Sequence, residues 1–317
     1  MVYRILAVAL IVSAGAFSSV AWAGPRCFGA ASMDGCRNKQ LDYKLTPSIG
    51  FARKSEWGGT GWMRNVSYCN RHKVFVMDGL NACVIGASKQ KASKTIALIG
   101  DSHSAHWRPG FAAAARLRGW RVISLAESGC DYNLVSQARA KVADAARCLR
   151  WRRDIPLWLT KHPEVTAAVF AQVGYDSDYQ TEVPSFQAAW SLLPLSISEI
   201  VVIRDNPRPH VELYDCIESA QRRGLSLRRA CSTLRNKNLL TDYAAVAATE
   251  MSTRKATAID LSNYFCSAKL CYPVIGGSLV YAQGAHQAPV FNKTLAPYLL
   301  REIDRSGALT PSAGKSY

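Results

Sequence analysis

Residues 95–106 read TIALIGDSHSAH. Thr95-Ile96-Ala97-Leu98-Ile99 is a short apolar run, the pattern of a strand buried on both faces. It stops at Gly100. Asp101 and Ser102 follow, and the Ala-rich stretch from Ser104 to Arg118 has helical character. A strand, a glycine and a helix make the first half of a βαβ unit.

The same grammar continues downstream. Further strands are predicted over 121–125, 165–171, 199–204 and 256–261. Helices are predicted over 137–160, 185–193, 211–222, 238–251 and 290–304. Short apolar strands alternating with helices imply a parallel sheet, and right-handed crossovers put helices on both faces. The expected architecture is α/β: a three-layer α/β/α domain over 94–304 with a five-stranded parallel sheet. Residues 24–93 are rich in Gly, Asn and Ser, contain four cysteines, and read as a disulfide-pinned N-terminal extension. Residues 305–317 read as a flexible tail.

The other end of the chain carries an address. Residues 1–23 are MVYRILAVALIVSAGAFSSVAWA: one cation, Arg4, an apolar stretch, then Ala21-Trp22-Ala23. This is the pattern of a signal peptide cleaved after Ala23, with a membrane anchor as the alternative if cleavage fails. A secreted or periplasmic location is therefore expected. All ten cysteines lie beyond this segment, too many for a reducing compartment. They fall into five local pairs: Cys27–Cys36, Cys69–Cys83, Cys130–Cys148, Cys216–Cys231 and Cys266–Cys271. No spacing suits zinc, so no metal is expected, and no cofactor is expected either.

Composition narrows the function classes. At 49% hydrophobic and 20% charged residues the chain is not disordered. With a single long apolar run it is not a polytopic membrane protein. Its 39 Lys+Arg against 23 Asp+Glu give +16. In an exported chain that charge points to an anionic envelope surface or polysaccharide, not nucleic acid, although a merely soluble Arg-rich surface accounts for it as well.

Chemistry is expected at the end of the first strand, because sites in open α/β sheets lie at the carboxyl ends of strands. Ser102 there has the placement of a nucleophile beside free backbone amides. Capping of the helix by Asp101 or Ser102 explains the same residues.

Thr95 to Phe111, TIALIGDSHSAHWRPGF, resembles the GDSH block of the SGNH hydrolase superfamily. It is most similar to the SGNH domain appended to bacterial membrane O-acyltransferases of the acyltransferase-3 type. Asn81 to Gly86, Glu127-Ser128-Gly129-Cys130, Ile203 to Pro209, and Cys266, Cys271 with Gly276 to Tyr281 extend the likeness over about 69–303. The resemblance implies a flavodoxin-like α/β/α fold and ester chemistry on carbohydrate hydroxyls. It makes Ser102 the nucleophile, gives the oxyanion hole the backbone amides of Ser102 and Gly129, and makes His286 the general base.

Two departures accompany it. The family's last block is Asp-x-x-His, but Gln283 holds the Asp position. This leaves a Ser–His dyad, a relocated carboxylate such as Asp260, or a weakened enzyme. The third block reads Val173-Gly174-Tyr175-Asp176 and offers no Asn as a further oxyanion donor. His103 and His106 read as local packing or polar rim.

The function implied is an exported O-acyltransferase or esterase acting on a cell-envelope glycan, either a glycan acceptor or an acylated glycan. A transferase would need a separate membrane acyl-donor protein or a soluble donor. The alternative is a catalytically impaired SGNH scaffold that binds anionic polysaccharide.

Overall fold

The computed structural model describes residues 26–54, 68–135, 142–174 and 178–310. The signal segment, residues 137–141 of one predicted helix, Tyr175 and Asp176, and 311–317 of the tail lie outside them.

The centre is a seven-stranded sheet. In chain order its strands are β1 (Phe75–Met77), β2 (Leu80–Gly86), β3 (Lys94–Ile99), β4 (Trp120–Ser124), β5 (Val165–Phe170), β6 (Glu199–Ile203) and β7 (Ala256–Ile259). Their spatial order is β1-β2-β4-β3-β5-β6-β7. The five strands from β3 to β7 are parallel, as predicted. Side chains alternate between two cores. Ile96, Leu98, Val201 and Ile203 enter one, with Phe111, Phe291 and Leu299. Ala97, Ile99, Ile200 and Val202 enter the other, with Trp158, Phe186 and Trp190. Two apolar faces on one sheet require a layer of helices on each side, which is the physical content of the α/β/α architecture.

The disulfide-pinned extension also contributes regular structure. It supplies β1 and β2, which add an antiparallel hairpin to the edge of the sheet through β2 and β4. Met77 pairs with Leu80 across a two-residue turn, Asp78-Gly79, with both residues at positive φ. Asp-Gly between apolar residues is the strong sequence signal for such a turn. The earlier part of the extension packs on the domain. Gly29 N donates to Gly276 O and Thr46 N to Gly277 O, and Ala30 and Leu41 are buried.

The helices that matter here are α1 (Ser102–His106), α2 (Arg108–Arg118), α3 (Val142–Lys161), α4 (Tyr179–Ser191), α5 (Leu213–Arg222), α6 (Tyr243–Glu250), α7 (Pro289–Thr294) and α8 (Ala296–Ser306). The single helix expected over 104–118 is divided at Trp107, with Pro109 in the first turn of α2. The one expected over 290–304 is divided at Leu295, with Pro297 in the first turn of α8. Proline fits a first helical turn, where its missing N–H has no intrahelical partner to lose.

Five disulfides join Cys27–Cys36, Cys69–Cys83, Cys130–Cys148, Cys216–Cys231 and Cys266–Cys271. No cysteine is free. No helix among the described residues is long and apolar enough to cross a membrane.

Candidate active site

The site forms where β3 ends. Gly100 stands at φ 144°, and a Cβ there would meet Ala171 O at 2.2 Å. Only glycine lets the chain turn this close to β5. Asp101 then caps α1: its Oδ1 accepts from His103 N at 2.7 Å and its Oδ2 from Val173 N at 3.1 Å. The cap therefore also ties the end of β3 to the end of β5. With Asp101 capping, Ser102 is left as the first residue of α1, half-exposed and available for another role.

That role is set by the C-terminal hairpin of β8 (Tyr281–Gln283) and β9 (His286–Gln287). Its tip brings His286 Nε2 to 2.7 Å from Ser102 Oγ, across 184 residues of sequence. His286 Nδ1 lies 2.8 Å from the main-chain oxygen of Gln283. A carbonyl only accepts, so Nδ1 carries the proton and Nε2 of the neutral ring accepts from the serine hydroxyl. The Gln283 side chain itself is exposed.

Asp260 does not take the place of the missing acid. It follows β7, and its Oδ1 accepts from Ser262 N at 2.7 Å while Oδ2 faces Arg204 Nε at 3.8 Å. Its side chain is 57% exposed, which fits a loop carboxylate and not a partner of the imidazole.

Gly129 lies in the loop after β4. Cys130 N donates to Glu127 O, closing a turn in which Gly129 is the third residue, with φ 70°. That conformation calls for glycine at that position. Glu127 N donates to Gly100 O at 3.0 Å, so the loop rests on the β3–α1 junction. Arg147 from α3 bonds Glu127 and Ser128 O, and Cys130–Cys148 ties the same loop to the same helix. Of the third block, Val173 N is taken by Asp101, and Gly174 O accepts from Tyr243 N.

His103 and His106 do not form a rim; both are buried. His106 Nε2 accepts from Gln287 Nε2 at 3.0 Å, and Gln287 Nε2 also donates to Asn206 Oδ1 at 3.0 Å. Asn292 Nδ2 donates to Gln287 Oε1 at 2.7 Å, and its Oδ1 accepts from Gly110 N at 2.6 Å. This buried network braces the hairpin that carries His286. Burial, then the positive charge of His103, holds His106 well below the usual imidazole range. His103 Nδ1 lies 2.6 Å from Asp205 Oδ1. Burial opposes charge on His103, yet the Asp205 carboxylate prevails and pushes it up to about 9. Sequence reasoning missed this pair. Asp205 stands at the end of β6, 102 residues from His103, and no local pattern joins them.

His286 is shifted the other way. Burial first, then the neighbouring His103, holds it below the ordinary imidazole value. Among the described residues no His, Cys, Asp or Glu group could hold a metal ion. A groove of about 350 Å³ opens beside the hairpin, lined by Arg208, Pro209, His210, Tyr214, Gly284 and Ala285 among others.

The fold is a sheet with helices on both faces, and it brings a serine at the end of its first parallel strand against a histidine on a C-terminal hairpin. The chain belongs to the SGNH domain family of the kind fused to AT3 domains, matched over residues 68–301. That family places it in the hydrolase and acyltransferase class. No curated protein sequence matches it. Among solved structures, the chain is similar to the periplasmic domain of a lipopolysaccharide acetyltransferase from Salmonella ser. Paratyphi A. The identity is 11%, covering 68% of this chain and 84% of that one, with a TM-score of 0.49. It is also similar to a fungal esterase from Rhizomucor miehei, at 14% identity over 90% of this chain and 99% of that one, with a TM-score of 0.32.

Proposed function

We propose that the protein is an exported serine-dependent O-acyltransferase or esterase acting on hydroxyl esters of a cell-envelope glycan. The observation that carries this reading is the 2.7 Å contact between His286 Nε2 and Ser102 Oγ, with Nδ1 tied to a main-chain carbonyl.

In this reading Ser102 Oγ attacks the ester carbonyl while its proton passes to His286 Nε2. The amides of Ser102 and Gly129 receive the developing oxyanion. Collapse breaks the bond to the leaving alcohol, which takes the proton back from His286, and leaves the acyl group on Ser102. A sugar hydroxyl or water then repeats the sequence in reverse, giving transfer or hydrolysis. A transferase of this form takes its acyl group from a separate membrane protein or a soluble donor. The +16 charge favours work at an anionic envelope surface. Five disulfides fit the oxidising compartment that export would reach.

The test is labelling with a serine-reactive phosphonate, followed by mapping of the modified residue, together with turnover of an activated acetyl ester. Labelling at Ser102 and loss of turnover in Ser102→Ala are expected. Labelling elsewhere, or a Ser102→Ala variant as fast as the native protein, would overturn the assignment and favour a glycan-binding scaffold.

A further inference from the structure

The carboxylate that a serine–histidine site ordinarily sets on its base is here set on a second imidazole. His103 follows Ser102 directly, and its ring centroid lies 5.1 Å from that of His286, tilted by 58°. The His103 and Asp205 side chains are 6% and 4% exposed. His103 is held by its backbone and its ring. Its amide donates to Asp101, its Nδ1 to Asp205, and its ring also packs on His106 at 4.9 Å. Asp205 is held in turn: its Oδ1 accepts from Asn206 N at 2.9 Å, and its own amide donates to Asp242 Oδ2 at 2.7 Å. Asp205 Oδ2 is buried without a partner among the described residues. A buried carboxylate so poorly supplied with donors is stabilised by a cation in contact, and the group in contact is His103.

We propose that His103, kept cationic by Asp205, is a positioning residue that fixes the His286 ring over Ser102 and holds it in the neutral, proton-accepting form. The proposal rests on Ser102 and His286 being nucleophile and base. Two imidazolium rings at this separation in a part-buried pocket repel, so His286 is kept free of a proton from solvent and able to accept, at the cost of being a weaker base. The same repulsion makes the imidazolium formed during attack a readier donor to the leaving group.

Asp101, Asp205 and the Gln283 carbonyl favour charge on His286, but burial and His103 outweigh them. Asp101 and Asp131 add to the effect of Asp205 on His103. His106, held neutral, contributes no competing charge. Asp242, behind Asp205, is pushed up by burial to about 6 and so begins to neutralise in mild acid.

The experiment reads imidazole titrations by nitrogen-15 NMR in the native protein and in His103→Asn, beside pH profiles of kcat/KM for an activated acetyl ester. The asparagine amide can still donate to Asp205 but carries no charge. In the native protein His103 is expected to be charged at pH 7.5. In His103→Asn the His286 titration and the acid limb of kcat/KM are expected to rise together by about one pH unit. A neutral His103 in the native protein at pH 7.5 overturns the proposal without recourse to any variant. So does an unmoved limb in a folded His103→Asn protein while Ser102→Ala is inactive, and in that case the catalytic reading survives. If Ser102→Ala keeps its turnover, the catalytic reading fails and takes this proposal with it.

Discussion

His286 donates its Nδ1–H in a hydrogen bond to the main-chain carbonyl of Gln283, 2.8 Å away. The β8–β9 hairpin turns between these two residues, so the orienting group comes with the backbone and does not depend on which residue stands at 283. A carbonyl dipole orients the ring as a carboxylate would, but brings less charge to steady the imidazolium. Gln283→Ala is therefore expected to keep kcat/KM within about twofold of the native value, whereas His286→Ala loses at least about a thousandfold. Gln283→Asp is expected to give no large gain, since residue 283 points its side chain to solvent. A hundredfold gain in ester turnover would show that the carbonyl is a poor substitute.

Gly100 decides whether Ser102 meets His286 at all. A Cβ at this position falls 2.2 Å from Ala171 O, a backbone atom that cannot swing aside. Gly100→Ala is expected to push β3 from β5 and carry Asp101 and Ser102 with it. Thermal unfolding and ester turnover measure the result: a loss of about 2–4 kcal/mol and at least a tenfold fall in kcat. Native stability with native turnover would refute the account of the turn.

Far from the site, Glu199 at the start of β6 accepts from Lys94 Nζ and Lys255 Nζ, both at 2.8 Å. Burial alone would raise the Glu199 carboxyl, but hydrogen bonds from Lys255 and Lys94 hold it below the usual range. A depressed carboxyl contributes stability above its unfolded value of about 4.3, and that contribution is lost as pH falls through the folded value. Glu199→Gln leaves Lys94 buried without its counter-charge. Unfolding in urea at pH 7 is expected to show a loss of about 3 kcal/mol. Acidification should narrow the gap from the native protein. A gap that widens in acid would contradict the sign.

The Cys130–Cys148 bridge closes a loop with a sequence separation of 18 and anchors the turn that holds Gly129. Replacing both cysteines by serine is expected to cost about 3 kcal/mol through the freer unfolded chain. If Gly129 supplies an oxyanion donor, kcat falls as well while KM changes little. An undiminished kcat in the folded double variant would separate the bridge from catalysis.

Much of the fold was legible from local pattern. Thr95 to Ile99 and the four later apolar runs gave the five parallel strands, because strands buried on both faces need continuous apolar sequence. The edge hairpin was legible too, in Met77-Asp78-Gly79-Leu80, but polar Asn81 interrupts β2 and hides it among the Gly- and Asn-rich residues around it. The two helix breaks at Trp107 and Leu295 were marked by Pro109 and Pro297, and Ala-rich periodicity alone reads through them.

The sequence by itself determined the class of fold and set each cysteine beside a near neighbour, and a family resemblance carried by short motifs pointed to Ser102 and His286. Each of these is encoded locally, by apolar period, by short loops or by a motif a few residues long. Only the tertiary structure decided which groups back those two residues. It gave His286 a main-chain carbonyl, gave Asp205 to His103 across 102 residues, and left Asp260 in solvent near Arg204. Such partnerships depend on where strand ends converge in space, and separation along the chain carries no record of that convergence.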